Sequence, residues 1–229
     1  RTYCPTQAIV DEVNARGFER TAVWSRGVDS TRFSPSYRSE ALRARLGVAD
    51  DTLVLSYVGR LAAEKGLDVA LEALALVEQA RPGQVRFLVV GDGPYEQEVR
   101  ARAPRGTVLT GKLHGTALSE AFASGDVFLF PSTTDTFGNV MLEAMASGLP
   151  VIGADVGPTR EQLQSGGGWL AAPGDAAAFA AAIITLIDDR SRVREAAIRA
   201  LAIAATKTWD AVWDTLVADY LRLHRPALR

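Results

Sequence analysis

The 229-residue chain holds a single cysteine and two histidines. Lone Cys4 excludes an internal disulfide framework and a multi-cysteine zinc site. It reads as a small buried hydrophobe. His114 and His224 leave little for a histidine-based metal centre, so no metal site is expected. An excess of basic charge is missing too. Lys and Arg number 25 against 27 Asp and Glu, a net charge of −2, which argues against a nucleic-acid-binding face but leaves room for a small anion site. Apolar runs are short. Phe87–Val90 and Val127–Phe130 have four residues each, and nothing approaches the roughly 20 needed to span a bilayer. The opening Arg1-Thr2-Tyr3-Cys4-Pro5 shows no charged-then-apolar leader. A start on Arg rather than Met reads as a cut into a longer polypeptide. The balance of 48% hydrophobic and 23% charged residues is that of an ordinary globular chain and argues against disorder.

Short apolar strands alternate with amphipathic helices. Strands are predicted at 52–58, 85–90, 108–110, 127–130, 150–154 and 169–171, with helices at 67–79, 95–103, 118–123 and 138–147 and several more towards the end. The Ala-rich tract 176–182 is read as helix, since Ala has the highest helix propensity. Strands separated by helices imply parallel βαβ units covered on both faces. The expected architecture is α/β: a Rossmann-like, doubly wound parallel sheet of about six strands. Ligands of such sheets sit beyond the carboxyl ends of the strands. Those positions here carry Gly59-Arg60, Gly91-Asp92-Gly93-Pro94, Gly111-Lys112, residues 131–138 and residues 155–160.

Gly59 lets backbone come close to a ligand. Arg60 and Lys65, five residues apart before a helix, can clamp a diphosphate and stabilise its charge as a leaving group. The bland alternative is a solvated loop in which Glu64 neutralises Lys65. Gly91-Asp92-Gly93-Pro94 reads as a turn with Asp92 as an N-cap, or as the floor of a cleft; without a third glycine it is not a dinucleotide fingerprint. At 138–140 the free amides of a helix start, Gly138-Asn139-Val140, form an anion site. Asp135 precedes that helix and Glu143 lies inside it, and the two could grip sugar hydroxyls. Alternatively Asp135 is only a cap and Glu143 a helix-surface residue. Glu143 is flanked by Leu142 and Ala144-Met145-Ala146, and a carboxylate in that setting needs a partner. His114 has no acid nearby in sequence, His224 lies in a charged tail, and Trp209, Trp213 and Tyr220 follow a helical spacing that suits packing.

Together these motifs resemble the retaining glycosyltransferases of the two-Rossmann-domain (GT-B) type, in particular glycosyltransferase family 4. The match rests on Arg26-Gly27-Val28-Asp29 with Phe33, Val58-Gly59-Arg60 with Glu64-Lys65-Gly66, Val90-Gly91-Asp92-Gly93-Pro94, and the block 123–151 with Ser124-Gly125-Asp126-Val127 and two acidic residues spaced by seven. It covers about residues 23–220. The resemblance implies that Arg60 and Lys65 hold a donor diphosphate and that Asp135 faces the donor sugar. It implies that Glu143 binds the ribose and that Lys112 and Leu113 line the base pocket. It places Gly59 against the donor, and the loop Phe137-Gly138-Asn139, with Val140, against sugar and phosphate. The first acidic position is usually Glu in the family and is Asp135 here, one methylene shorter, which leaves the contact to the sugar open.

The resemblance further implies a metal-independent enzyme without a resident cofactor, acting on a nucleotide-diphosphate sugar. Residues 1–22 would close a missing N-terminal, acceptor-binding domain and form a hinge. Residues 23–205 would be the donor-binding domain, and 206–229 a helix crossing back, its aromatic stripe partly exposed. The wording around Asp135 and Arg26 looks most like GDP-mannose-dependent mannosyltransferases acting on glycolipids or saccharides. A UDP-sugar (glucosyl or sulfoquinovosyl) transferase, a nucleotide-sugar epimerase and a non-catalytic nucleotide-binding module stay open. The expected location is cytoplasmic, with any peripheral membrane contact made through the missing half.

Overall fold

The computed structural model describes residues 1–224. Six parallel strands form one sheet: β3 (Leu53–Val58), β4 (Val85–Val90), β5 (Thr107–Leu109), β6 (Val127–Phe130), β7 (Val151–Ala154) and β8 (Gly168–Ala171). Their spatial order is β5-β4-β3-β6-β7-β8, with every pair parallel. This is the doubly wound order, which reverses direction between β3 and β6 and leaves a crevice at that switch point.

The strands form where the sequence is apolar enough to be covered on both sides. Along β3, Leu53, Leu55 and Tyr57 enter one core cluster, which includes Leu71 and Leu74 of α3 (Leu67–Ala80) and Phe179 and Ile183 of α8 (Ala176–Asp188). Val54 faces the other side with Leu46, Leu88 and Ala121. A third cluster sets Phe128 and Phe130 of β6 against Met141 and Met145 of α6 (Asn139–Ala146) and Ala200 of α9 (Arg190–Ala205).

Helices α4 (Glu96–Arg102) and α5 (Gly115–Ala123) complete the expected crossovers. The latter starts three residues ahead of the predicted Leu118, with His114 exposed at its cap position and making no side-chain cap bond. Asp92 is not a cap: α4 begins after Tyr95, and the Asp92 carbonyl accepts from the Leu61 amide at 2.8 Å. Cys4 is buried, as expected. The side chain of His224 and residues 225–229 lie outside the described residues, so the reading of His224 as solvated falls there too.

Several elements were not anticipated. The first 23 residues carry regular structure of their own. β1 (Thr2–Cys4), α1 (Gln7–Ala15) and β2 (Thr21–Val23) form a small βαβ unit with β1 parallel to β2. Thr6 caps α1, accepting from the Ile9 amide. A short α2 (Glu40–Arg45) follows the linker, and α7 (Gly157–Leu163) opens on Gly157-Pro158, where Pro is tolerated in a first helical turn. The amide of Ala8 in α1 donates to Glu161 of α7 at 3.2 Å.

The last helix, α10 (Trp209–His224), packs on the N-terminal unit. Trp24 lies 5.4 Å from Trp213 and Tyr3 6.0 Å from Tyr220. Asp219 accepts from Tyr3 Oη at 2.7 Å and pairs with Arg1. The stripe is therefore both packed and about half exposed, Trp213 at 48% and Tyr220 at 53%.

Two of the motifs behind the resemblance do structural work. Asp126 sits at the amino end of the sheet, away from the strand carboxyl ends. It accepts from the Val54 amide at 2.9 Å and faces Arg43, Arg38 and Arg190 at 3.1, 3.3 and 3.4 Å. Asp29 closes a turn by accepting from the Thr31 amide at 2.9 Å, while the Val28 amide donates to the Lys207 carbonyl at 2.8 Å.

Candidate functional site at the switch point

The loops after β3 and β6 enclose a cavity of about 480 Å³ whose walls include Gly59, Arg60, Lys65, Asp135, Asn139, Val140 and Glu143. A second cavity of about 350 Å³ lies towards β4 and is lined by Lys112, Leu113, Leu118 and Asp92. Both share Val58, Gly59 and Arg60, so one ligand running over Gly59 would occupy the two together.

Backbone contacts build the floor. The Gly59 amide donates to the Val90 carbonyl at 3.0 Å and the Gly91 amide to the Gly111 carbonyl at 2.9 Å. Gly91 has φ +140°, and a Cβ there would stand 1.9 Å from the Gly59 carbonyl oxygen. No other residue fits, which makes Gly91-Asp92-Gly93 the cleft floor. Tyr57 pins the β3 loop from below: its buried phenol donates to the Arg60 carbonyl at 2.9 Å. Burial, with Asp135 and Glu64 adding to it, pushes that phenol well above its ordinary value.

The ionic pairing differs from the simplest reading of neighbours in sequence. Glu64 pairs with Arg60, not Lys65. Lys65 closes a 3₁₀ turn (Ala63–Lys65) and reaches across to the β6 loop, where its Nζ donates to both carboxylate oxygens of Asp135 at 2.9 Å. Ser132 Oγ donates to the same carboxylate at 2.5 Å. Asp135 is thus no helix cap. That position belongs to Gly138, whose φ of +76° is left-handed and whose added Cβ would meet Phe130 and Met141 within 3 Å. After the turn at Gly138, Asn139 and Val140, whose amides lack intrahelical acceptors, line the cavity.

Glu143 lies one turn inside α6. Its carboxylate takes no hydrogen bond from any described residue, and burial raises it from 4.5 to about 7, with Arg32 opposing. The partner that its apolar neighbours called for is not supplied by any described residue. Phe137 diverges from the rest. Its buried side chain lines a separate cavity of about 440 Å³ with Leu142, Met145 and Ile203, while Gln162 Nε2 donates to its carbonyl. Gly138 shapes the site without lining it. Sequence reasoning missed Tyr57 and Ser132. The only signal was a phenol near the end of a mostly apolar strand and a hydroxyl one residue past Pro131.

The inner cavity offers two cations, two carboxylates and the first amides of α6 at a switch point, and the outer one adds Lys112 and Asp92. With the doubly wound sheet, this arrangement defines a Rossmann-like domain of the GT-B class. Residues 52–189 match the family "Glycosyl transferases group 1", and the chain belongs to that family. Over 222 residues it is 37% identical to the GDP-mannose-dependent alpha-mannosyltransferase of Mycobacterium tuberculosis, covering 96% of this chain and 56% of that protein. It is also 37% identical to the sulfoquinovosyl transferase SQD2 of Arabidopsis thaliana, over 82% of this chain and 38% of that one. Among solved structures, Alr3699/HepE of Anabaena, in complex with UDP and glucose, superposes with a TM-score of 0.82 at 29% identity, over 96% of this chain and 62% of that one. The chain spans about half or less of the length of these two curated relatives.

Proposed function

We propose that the chain is the donor-binding half of a retaining glycosyltransferase of family 4. It takes part in moving a hexose, mannose from GDP-mannose, to a glycolipid or saccharide acceptor held mainly by another part of the protein. The observation that carries this reading is the pair of cavities joined over Gly59-Arg60. The inner one has cations and helix amides for a diphosphate, and the outer one has Leu113, Leu118 and the Lys112 stem for a flat base.

In this pose Arg60 and Lys65 neutralise the nucleoside diphosphate as the glycosidic C–O bond breaks. Charge stabilisation of that kind is worth most in a site shielded from water. The amides of Asn139 and Val140 hold phosphate or sugar oxygens, and Asp135 at the cavity wall meets sugar hydroxyls. Glu143 accepts from the ribose diol, a pair of donors that would satisfy its lone pairs. The two side-chain cations and the helix amides make the anion site complete without a metal ion, so metal-independent transfer is proposed. Contact with a membrane would be peripheral and made by the acceptor-binding part at the cytoplasmic face.

The 37% identity to a GDP-mannose-dependent enzyme across 96% of the chain favours guanine. A UDP-sugar donor is the second reading, supported by the likeness to SQD2 and to the UDP-bound Anabaena protein. Calorimetric titration with GDP, GDP-mannose, UDP and UDP-glucose decides between them. Tighter binding of the uridine pair overturns the guanine reading, and binding of none overturns the nucleotide site.

A further inference from the structure

Ser132 is 2% exposed and has no part in the roles above. Its hydroxyl fixes one oxygen of Asp135 at 2.5 Å, and that carboxylate is the one that chelates Lys65. The two loops are also in backbone contact. A Cβ on Gly66, next to Lys65, would lie 2.5 Å from the carbonyl oxygen of Pro131, next to Ser132. Arg60, the other cation of the groove, lies against Glu64. Both side-chain cations of the inner cavity therefore already have a carboxylate of this chain as counter-ion, and with two of its three ammonium hydrogens on Asp135, Lys65 can turn fully to a diphosphate only by loosening that pair.

We propose that Ser132 is a positioning residue of the donor site, pinning Asp135 against Lys65 so that a nucleoside diphosphate competes with an internal carboxylate for the lysine. This rests on the donor-site reading above. A carboxylate with one oxygen held by a buried hydroxyl keeps the rotamer that presents both oxygens to Nζ. Without the hydroxyl it can swing towards solvent, and the internal competitor weakens. The side chains of Lys65 and Asp135 are 22% and 26% exposed, so water screens the pair and the competition is modest. When Lys65 turns to the diphosphate, Asp135 stays tethered by Ser132 at the cavity wall, where the sugar half of a donor would lie.

The test is calorimetric titration of GDP and UDP into the 229-residue chain and its variants. Ser132→Ala should tighten nucleotide binding about two- to fivefold, the size expected for release of a part-exposed ion pair. Asp135→Asn should tighten it at least as much, and Ser132→Ala should add nothing in the Asp135→Asn background, because contacting residues couple. The effect of Asp135→Asn should vanish in a Lys65→Met background. If it persists there, Asp135 acts only by repelling phosphate and the proposal fails. Unchanged or weaker binding by Ser132→Ala also overturns it. Should that variant not fold, Ser132→Cys, whose thiol is only a weak donor, takes its place with the same expectation and the same overturning results. A wild type that binds neither nucleotide overturns the donor-site reading, and this role with it. A binding wild type with no Ser132 effect overturns this role alone.

Discussion

Glu143 makes the strongest quantitative demand on the structure. Burial in the wall of the inner cavity raises its carboxyl from 4.5 to about 7. For an acid, a folded-state value above the unfolded one penalises the folded chain whenever the group must ionise. Below the unfolded value of 4.5 both states are protonated and there is no penalty. Between 4.5 and 7 the unfolded chain loses the proton first, so stability falls as pH rises. Above 7 both are ionised and the penalty is complete. At about 1.4 kcal/mol per pH unit, the full penalty is about 3 kcal/mol. Glu143→Gln keeps the shape and removes the charge. Urea unfolding followed by tryptophan fluorescence should show the variant gaining on wild type by about 2–3 kcal/mol between about pH 5 and about pH 8. Under the donor-site reading the same substitution weakens nucleotide binding, because a charge-assisted bond to the ribose becomes a neutral one. Nucleotide binding to wild type should release a proton near neutral pH. A stability difference that does not change with pH would refute the reasoning, since it would mean that Glu143 is not held in a medium that resists its charge.

Lys65→Ala should weaken nucleoside diphosphate binding by about 1.5–3 kcal/mol, the usual worth of a hydrogen bond to a charged group, measured by calorimetry. Gly91→Ala forces a Cβ to within 1.9 Å of the Gly59 carbonyl oxygen at φ +140° and should cost well over about 2 kcal/mol in denaturant unfolding. Phe122→Ala, at a side chain that is fully buried between Phe33 and Phe128, should cost about 3–5 kcal/mol by the same measurement. The purified 229-residue chain should bind nucleotide without producing a glycoside from GDP-mannose or UDP-glucose, and turnover detected by product analysis would contradict the proposed role as a donor-binding half.

The parts of this molecule that were legible in sequence are those in which local pattern and global burial agree. Leu53, Leu55 and Tyr57 alternate with Val54, Ser56 and Val58 along a strand that is covered on both faces, so its apolar run survives as β3 within one residue of the predicted start. Leu67, Leu71, Leu74 and Val77 keep one helical face. The small βαβ unit was opaque for the opposite reason. Its strands have three residues each, and β2 is only half-buried, so no alternation betrays them. Much of what steadies them lies some two hundred residues away, on α10.

The site divides along the same line. Residue identities at strand ends named Arg60, Lys65, Asp135 and Glu143, because a switch-point crevice can be placed from topology alone. Who pairs with whom could not be read, because adjacency in the chain favours Glu64 for Lys65. The fold instead uses a 3₁₀ turn that sets Arg60 and Glu64 four residues apart on one side and turns Lys65 towards a loop 70 residues on. Charge pairing thus depends on which way one short turn presents successive side chains, and the glycine that ends it, Gly66, sits hard against Pro131. Gly66→Ala would therefore disturb the Lys65–Asp135 pair before it disturbed the sheet. Nucleotide affinity should change at a temperature where far-ultraviolet circular dichroism does not, and simultaneous loss of both would mean that the turn is part of the folding core and not an adjustable mount for the lysine.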